Sequence, residues 1–158
     1  MRSGGGPTTT SPCLTVPARR AATRSRAPRI PSQCNPSIAR TTLADSECLF
    51  CRIVAGEIPT HFLHEDELVV AFPDVSPKAP THILLIPREH LASAAELTES
   101  HAPMLGRLFA TAARLAGDRG LVESGFRLVT NAGPDAGQSV DHLHVHLLGG
   151  RKFGWPPG

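Results

Sequence analysis

The run His142-Leu143-His144-Val145-His146-Leu147-Leu148 sets three imidazoles at every second position. Side chains alternate along an extended chain, so the three His share one face, about 7 Å apart per step. Leu143, Val145 and Leu147 are left to bury the other. Three imidazoles on one face are a poor choice for packing alone, because each displaces apolar surface and needs a hydrogen-bond partner. Two chemistries suit them. They can bind a transition metal, or one can attack phosphorus while its neighbours neutralise phosphoryl oxygens. The preceding loop, Asn131-Ala132-Gly133-Pro134-Asp135-Ala136-Gly137-Gln138-Ser139, favours the second. It is small and Gly-rich, so backbone N–H groups can approach an anion closely. Gln138 and Ser139 bring amide and hydroxyl donors to the entry of the His strand. That set suits nucleotidyl transfer. Cys48-Leu49-Phe50-Cys51 is a second signal: C-x-x-C can clamp one Zn2+ but needs two further ligands, and alone it is equally compatible with a redox or a bland role.

These residues need elements to hold them. A short helix is expected over residues 48–55, capped by Asp45 or Ser46 and ended by Gly56 and Pro59. Two short strands, 61–64 and 68–72, flank the acidic turn Glu65-Asp66-Glu67. Pro73, Pro77 and Pro80 enforce a rigid loop. His82-Ile83-Leu84-Leu85-Ile86 is nearly all apolar, which predicts a central strand covered on both faces and stopped by Pro87. A long helix is expected over 100–116, with Met104, Leu105, Leu108, Phe109, Ala112, Leu115 and Ala116 as its apolar stripe and Pro103 in its first turn. Residues 126–131 alternate as a strand, and 139–148 form the last. Hairpin spacing without βαβ units predicts an α+β fold with a five-stranded antiparallel sheet, one long helix and one short helix.

The net charge of +2 averages two unlike parts. Residues 1–44 carry seven Arg and no acid, +7; residues 45–158 carry nine basic and fourteen acidic side chains, −5. The first part is rich in Gly, Pro, Ser, Thr and Ala with no apolar period, so it is expected to be a disordered extension ahead of a domain at 45–158. Its composition is that of a mitochondrial or plastid transit peptide, and equally of a dispensable tail or a misplaced start. The location is therefore expected to be cytoplasmic, or the mitochondrion or plastid if the arm directs import. No apolar run nears the ~18 residues of a membrane span. The arm has no aromatic residue for base stacking and the remainder is acidic, so neither a nucleic-acid nor a membrane partner is expected.

The run Gln138-Ser139-Val140-Asp141-His142-Leu143-His144-Val145-His146-Leu147-Leu148-Gly149-Gly150-Arg151 resembles the signature of the histidine triad (HIT) superfamily. Trp155-Pro156-Pro157-Gly158 resembles the ending of its Hint branch of nucleoside phosphoramidases. Asp74-Val75-Ser76-Pro77-Lys78-Ala79-Pro80-Thr81-His82 and Ile86-Pro87-Arg88-Glu89-His90 match that branch's second region. The resemblance spans about residues 47–158 and implies a purine nucleoside phosphoramidase, a hydrolase. His144 would attack the α-phosphorus of an AMP–amine or acyl-AMP, forming a nucleotidyl-imidazole that water hydrolyses. His146 would donate to the phosphate oxygens, and Ser139 would help protonate the leaving group. Asp74 would bind the ribose hydroxyls and Asn131 the phosphate or ribose side. Phe50, Ile53 and Phe72 would form the purine slot, and Trp155 would reach the second subunit of a homodimer whose sheet continues between subunits. Bacterial members with the Cys pair complete a zinc site with two His, here His90 and His142, so a structural Zn2+ on Cys48, Cys51, His90 and His142 is implied. The Fhit-like branch, which hydrolyses dinucleoside polyphosphates, ends its triad with Gln; His146 argues against that alternative. A non-catalytic nucleotide-binding module is the other alternative. Asp141 replaces the usual Tyr, and Pro73 stands where His or Arg is common. His61, His64 and His101 match nothing functional. His82 is either an orienter of the triad or a buried, satisfied histidine.

Overall fold

The computed structural model describes residues 47–156. The expectations for residues 1–44, and the cap at Asp45 or Ser46, lie outside the described residues. Five antiparallel strands form one sheet in the order β1-β2-β3-β5-β4. The strands are β1 His64–Glu65, β2 Val69–Pro73, β3 Thr81–Pro87, β4 Phe126–Val129 and β5 Val145–Gly149. The helices are α1 Leu49–Val54 and α2 Ala102–Asp118. The α+β architecture with one long and one short helix is the one expected from the sequence. Among the described residues no helix is long and apolar enough to cross a membrane.

β3 is apolar on both faces because both are covered. Ile83 and Leu85 point into a core with Leu108, Ala112 and Leu115 of α2; Leu84 and Ile86 point into a second core with Phe50 and Ile53 of α1. Leu108 is fully buried, and Leu108→Ala is expected to cost about 2–5 kcal/mol. Pro103 falls in the first turn of α2, where its missing N–H costs no hydrogen bond. The α2 stripe differs from expectation at one point: Phe109 is half exposed.

The largest departure concerns the last strand, expected over 139–148 but paired only from Val145. Pro87 on β3 lacks the N–H a longer ladder would use, and its carbonyl is taken by the His142 ring at 3.0 Å. The backbone ahead of Val145 finds partners elsewhere: Leu143 N–H donates to Leu91 O at 2.6 Å and His142 N–H to Val140 O at 2.8 Å. The alternation survives. Leu143, Val145 and Leu147 lie in the α2 core, while the three His point to the α1 side.

Candidate functional site

Two histidine-bearing clusters flank His144. The first joins α1 to the segment before β5. Cys48 caps α1 at its N-terminus, and Cys51 lies one turn on. Burial of Phe50 and Ile53 on the same helix, worth about 1.5–3 kcal/mol each, seats it on the sheet. Both sulfurs lie 3.5 Å from His142 Nδ1, and Cys51 Sγ lies 3.2 Å from His90 Nδ1. All four donor atoms are within 4.8 Å of one another. A tetrahedral S2N2 shell with bonds of 2.0–2.3 Å spaces its donors about 3.5 Å apart, so the cluster has the size a Zn2+ requires. The tautomer also suits. A carbonyl only accepts, so His142 Nε2 carries the proton it donates to Pro87 O, and unprotonated Nδ1 faces the sulfurs. The four residues named from the sequence therefore converge and can hold a metal.

His144 is 2 % exposed. Its Nδ1–H donates to His142 O at 2.7 Å, which leaves Nε2 with the lone pair. Thr130 Oγ1 donates to the His144 carbonyl at 2.9 Å, fixing the backbone beneath the ring. The Phe50 ring meets it edge-on, centroids 5.5 Å apart, and the His146 ring lies 5.0 Å away. Among the described residues no buried side-chain nitrogen or oxygen lacks a partner. Among the described residues the Nε2 atoms of His144 and His146 make no hydrogen bond, so both tips reach the surface. An imidazole whose proton is held behind it and whose lone pair faces outward is a nucleophile prepared for phosphorus.

The second cluster is Asp74, His82 and His146. Strand register builds it: His82 pairs with Leu148 and His146 with Leu84, so the two His are diagonal neighbours on one face. His82 Nε2 lies 2.9 Å from His146 Nδ1 and 3.3 Å from Asp74 Oδ2. Burial, then the neighbouring charges of His144 and His82, push the His146 pKa down to about 4. Burial also lowers that of His82, against the pull of Asp74. Both rings are neutral at pH 7.

A cavity of about 500 Å3, ordinary for a small-molecule site, opens beside this cluster. Phe50, Ile53, Phe72 and Asp74 line it, the four residues expected to form a nucleoside slot. Ser139 instead lines a second cavity of about 460 Å3 with Cys48, His90 and Asp141. Gln138 braces the loop: Oε1 accepts from Gly133 N–H at 2.9 Å, and Nε2 donates to Ala92 O and Val140 O. Gly137, at φ 76°, makes the left-handed turn that closes this loop. Asn131 stands half-buried just after β4, and Trp155 is 86 % exposed. Pro87 O, Thr130 Oγ1 and the Lys78 N–H, which donates to His82 Nδ1 at 3.1 Å, are site groups that the sequence did not point to. Two of the three are backbone atoms and leave no residue-type signal.

The description "HIT domain" matches a family model over residues 55–153, from the end of α1 to beyond β5. The chain belongs to the HIT family. Adenylylsulfatase HINT1 of Arabidopsis thaliana is 49 % identical to it over 119 residues, 74 % of this chain and 80 % of that protein. A 14 kDa zinc-binding protein of Zea mays is 49 % identical over 118 residues, 73 % and 91 % of the two chains. Among solved structures, a HIT family hydrolase from Legionella pneumophila superposes with a TM-score of 0.69 at 46 % identity, covering 70 % of this chain and 99 % of that one. Of the three imidazoles in the His142–His146 row, His142 and His144 have their ring protons fixed by the Pro87 and His142 carbonyls, while His146 faces His82.

Proposed function

We propose that this HIT protein hydrolyses nucleoside 5′-phosphoramidates and acyl-adenylates through a covalent nucleotidyl-His144 intermediate. The observation that carries the reading is the His144 ring, with Nδ1–H on the His142 carbonyl and Nε2 reaching the surface. The nucleoside lies in the apolar cavity between Phe50, Ile53 and Phe72, with Asp74 at its rim for the ribose diol. Nε2 attacks the α-phosphorus and the bond to the leaving amine or acyl group breaks. His146 Nε2 donates to the phosphoryl oxygens as charge builds, and Ser139 helps return a proton to the leaving group. Water then attacks the phosphorus of the nucleotidyl-imidazole, releasing the nucleoside monophosphate and restoring His144. The name of the Arabidopsis relative adds adenylyl sulfate as a substrate of the same mixed-anhydride class to be tried.

In this reading Cys48, Cys51, His90 and His142 hold one Zn2+, which is structural and ties α1 to the carbonyl that orients His144. The zinc-binding name of the maize relative and the donor spacing support it. A homodimer is supported by β4, an edge strand with no neighbour on its outer side among the described residues, and by exposed Phe109, Val122 and Phe126. Sedimentation equilibrium showing only monomer at micromolar concentration would count against it. In this reading residues 1–44 play no part in the chemistry, and the protein works in the cytoplasm, or in the mitochondrion or plastid if those residues are a transit peptide.

The test is turnover of a fluorogenic AMP-amine by the full chain and by His144→Ala. A loss of ~10³-fold or more is expected for removal of a nucleophile; equal rates would sink the assignment. Diadenosine polyphosphates, offered to the same preparation, should be cleaved far more slowly than the AMP-amine.

A further inference from the structure

Asp74, His82 and His146 have the composition of a two-His, one-carboxylate metal site, and their donor atoms lie as close together as those of the Cys/His cluster. The hydrogens say otherwise. Lys78 N–H can only donate, and it donates to His82 Nδ1 at 3.1 Å. His82 Nδ1 is therefore unprotonated, and the ring's proton is on Nε2. A metal on Nε2 would move that proton to Nδ1, directly against the Lys78 N–H. With no metal there, His82 Nε2–H points at His146 Nδ1 at 2.9 Å. His146 Nδ1 must then accept, and its own proton lies on Nε2, the tip that reaches the surface.

We propose that His82 is a positioning residue, a tautomer lock in which the Lys78 backbone amide sets His82 and His82 sets His146 as an Nε2–H donor. The proposal rests on the function proposed above only for its catalytic consequence; the tautomers themselves are a property of the protein. The lock leaves His144 and His146 with opposite protonation at their exposed tips: lone pair on one, N–H on the other. A nucleophile beside a fixed donor is what phosphoryl attack needs. If His146 were the Nδ1–H tautomer, it would present a second lone pair to an anionic phosphate.

The amide that starts the chain is itself held. Asp74 Oδ1 accepts from Ser76 N–H at 2.7 Å, and Asp74 N–H bonds to His82 O at 3.0 Å, so the loop between them is tied at both ends. Arg151 Nε donates to Lys78 O at 3.2 Å, with its guanidinium 4.3 Å from the Phe153 ring centroid. Pro77 and Pro80 stiffen the remainder.

The test uses the full, metal-loaded protein with 15N-labelled histidine and long-range 1H–15N correlation of the ring nitrogens. The expected wild-type result is His146 with an unprotonated Nδ1 and a protonated Nε2, and His82 the same. His146 as the Nδ1–H tautomer overturns the proposal with no variant needed. His82→Gln can still accept from Lys78 N–H and donate to His146, so it should keep the His146 signature and most of the turnover. His82→Leu should leave His146 as a mixture and lower kcat on the order of 10²-fold, with KM within about twofold. A Leu variant that keeps the wild-type His146 tautomer, or a Gln variant as impaired as Leu, contradicts the lock. Binding of a second equivalent of zinc that shifts the His82 and His146 nitrogens also contradicts it. If no AMP-amine is turned over by wild type, the functional reading fails while the ring-nitrogen result still decides the tautomer.

Discussion

The two clusters beside His144 are alike in distance and opposite in chemistry. In one, two thiols and two imidazole Nδ1 atoms meet, Cys51 Sγ 3.2 Å from His90 and both sulfurs 3.5 Å from His142, with the His142 proton drawn away to Pro87 O. In the other, His82 Nε2 lies 2.9 Å from the His146 imidazole and 3.3 Å from the Asp74 carboxylate, with a proton driven in among them by the Lys78 amide. A backbone carbonyl behind a ring makes a ligand of its far nitrogen; a backbone amide behind a ring makes a donor of it. Side-chain type and spacing do not separate the two cases. The backbone atom on the opposite nitrogen does.

The comparison breaks most visibly at the metal. Elemental analysis of protein purified without chelator should give about one zinc per chain, and Cys48→Ser should bring it close to zero, since apparent structural Zn2+ affinities of about 10–16 kcal/mol depend on the full donor set. Asp74→Asn should leave the zinc content unchanged. Zinc lost from Asp74→Asn and retained in Cys48→Ser would exchange the roles assigned to the two clusters.

Activity should separate them next. His90→Ala removes one donor while leaving the His142 carbonyl in place, so turnover should fall by about 10- to 100-fold through looser orientation of His144. Asp74→Asn keeps an acceptor for Ser76 N–H but removes the charge at the cavity rim that the proposed function gives to the ribose diol. A rise in KM of about tenfold with a smaller change in kcat is expected, read from initial rates over a range of AMP-amine concentrations.

A smaller effect sharpens the protonation side. His82 and His146 have folded pKa values below the usual 6.5, that of His146 about 4. Below about pH 6.5 the unfolded chain takes up protons that the folded cluster refuses. Stability should therefore fall as pH drops from about 7 to about 4 and level off once His146 protonates in the fold. His146→Gln should flatten part of that slope. Urea midpoints measured across the range for both proteins check it, and parallel curves would contradict it.

Much of this arrangement was legible in the sequence. Alternation put His142, His144 and His146 opposite Leu143, Val145 and Leu147, and the fold keeps that division. The doubly apolar run 82–86 gave a central strand because both faces truly are covered. The C-x-x-C pair with His90 and His142 converged as the resemblance implied. What could not be read was set by partners distant in the chain or carried by the backbone. The ladder ends at Val145 because His142 takes the Pro87 carbonyl 55 positions away. Gln138 has the right donors for a ligand, but both ends of its amide are engaged by the loop. His82 could be named only as an orienter or a satisfied core histidine, because the group that decides between them is the Lys78 N–H.

The central claim is that His144 Nε2 forms a bond to phosphorus. Acid-sparing quench of wild type during turnover of an AMP-amine, followed by intact-mass and peptide mass spectrometry, should show one nucleotidyl group on the peptide carrying His144. The adduct should be absent from His144→Ala. An active wild type with no adduct at any quench time, and a His144→Ala variant that turns over at the same rate, would contradict the account.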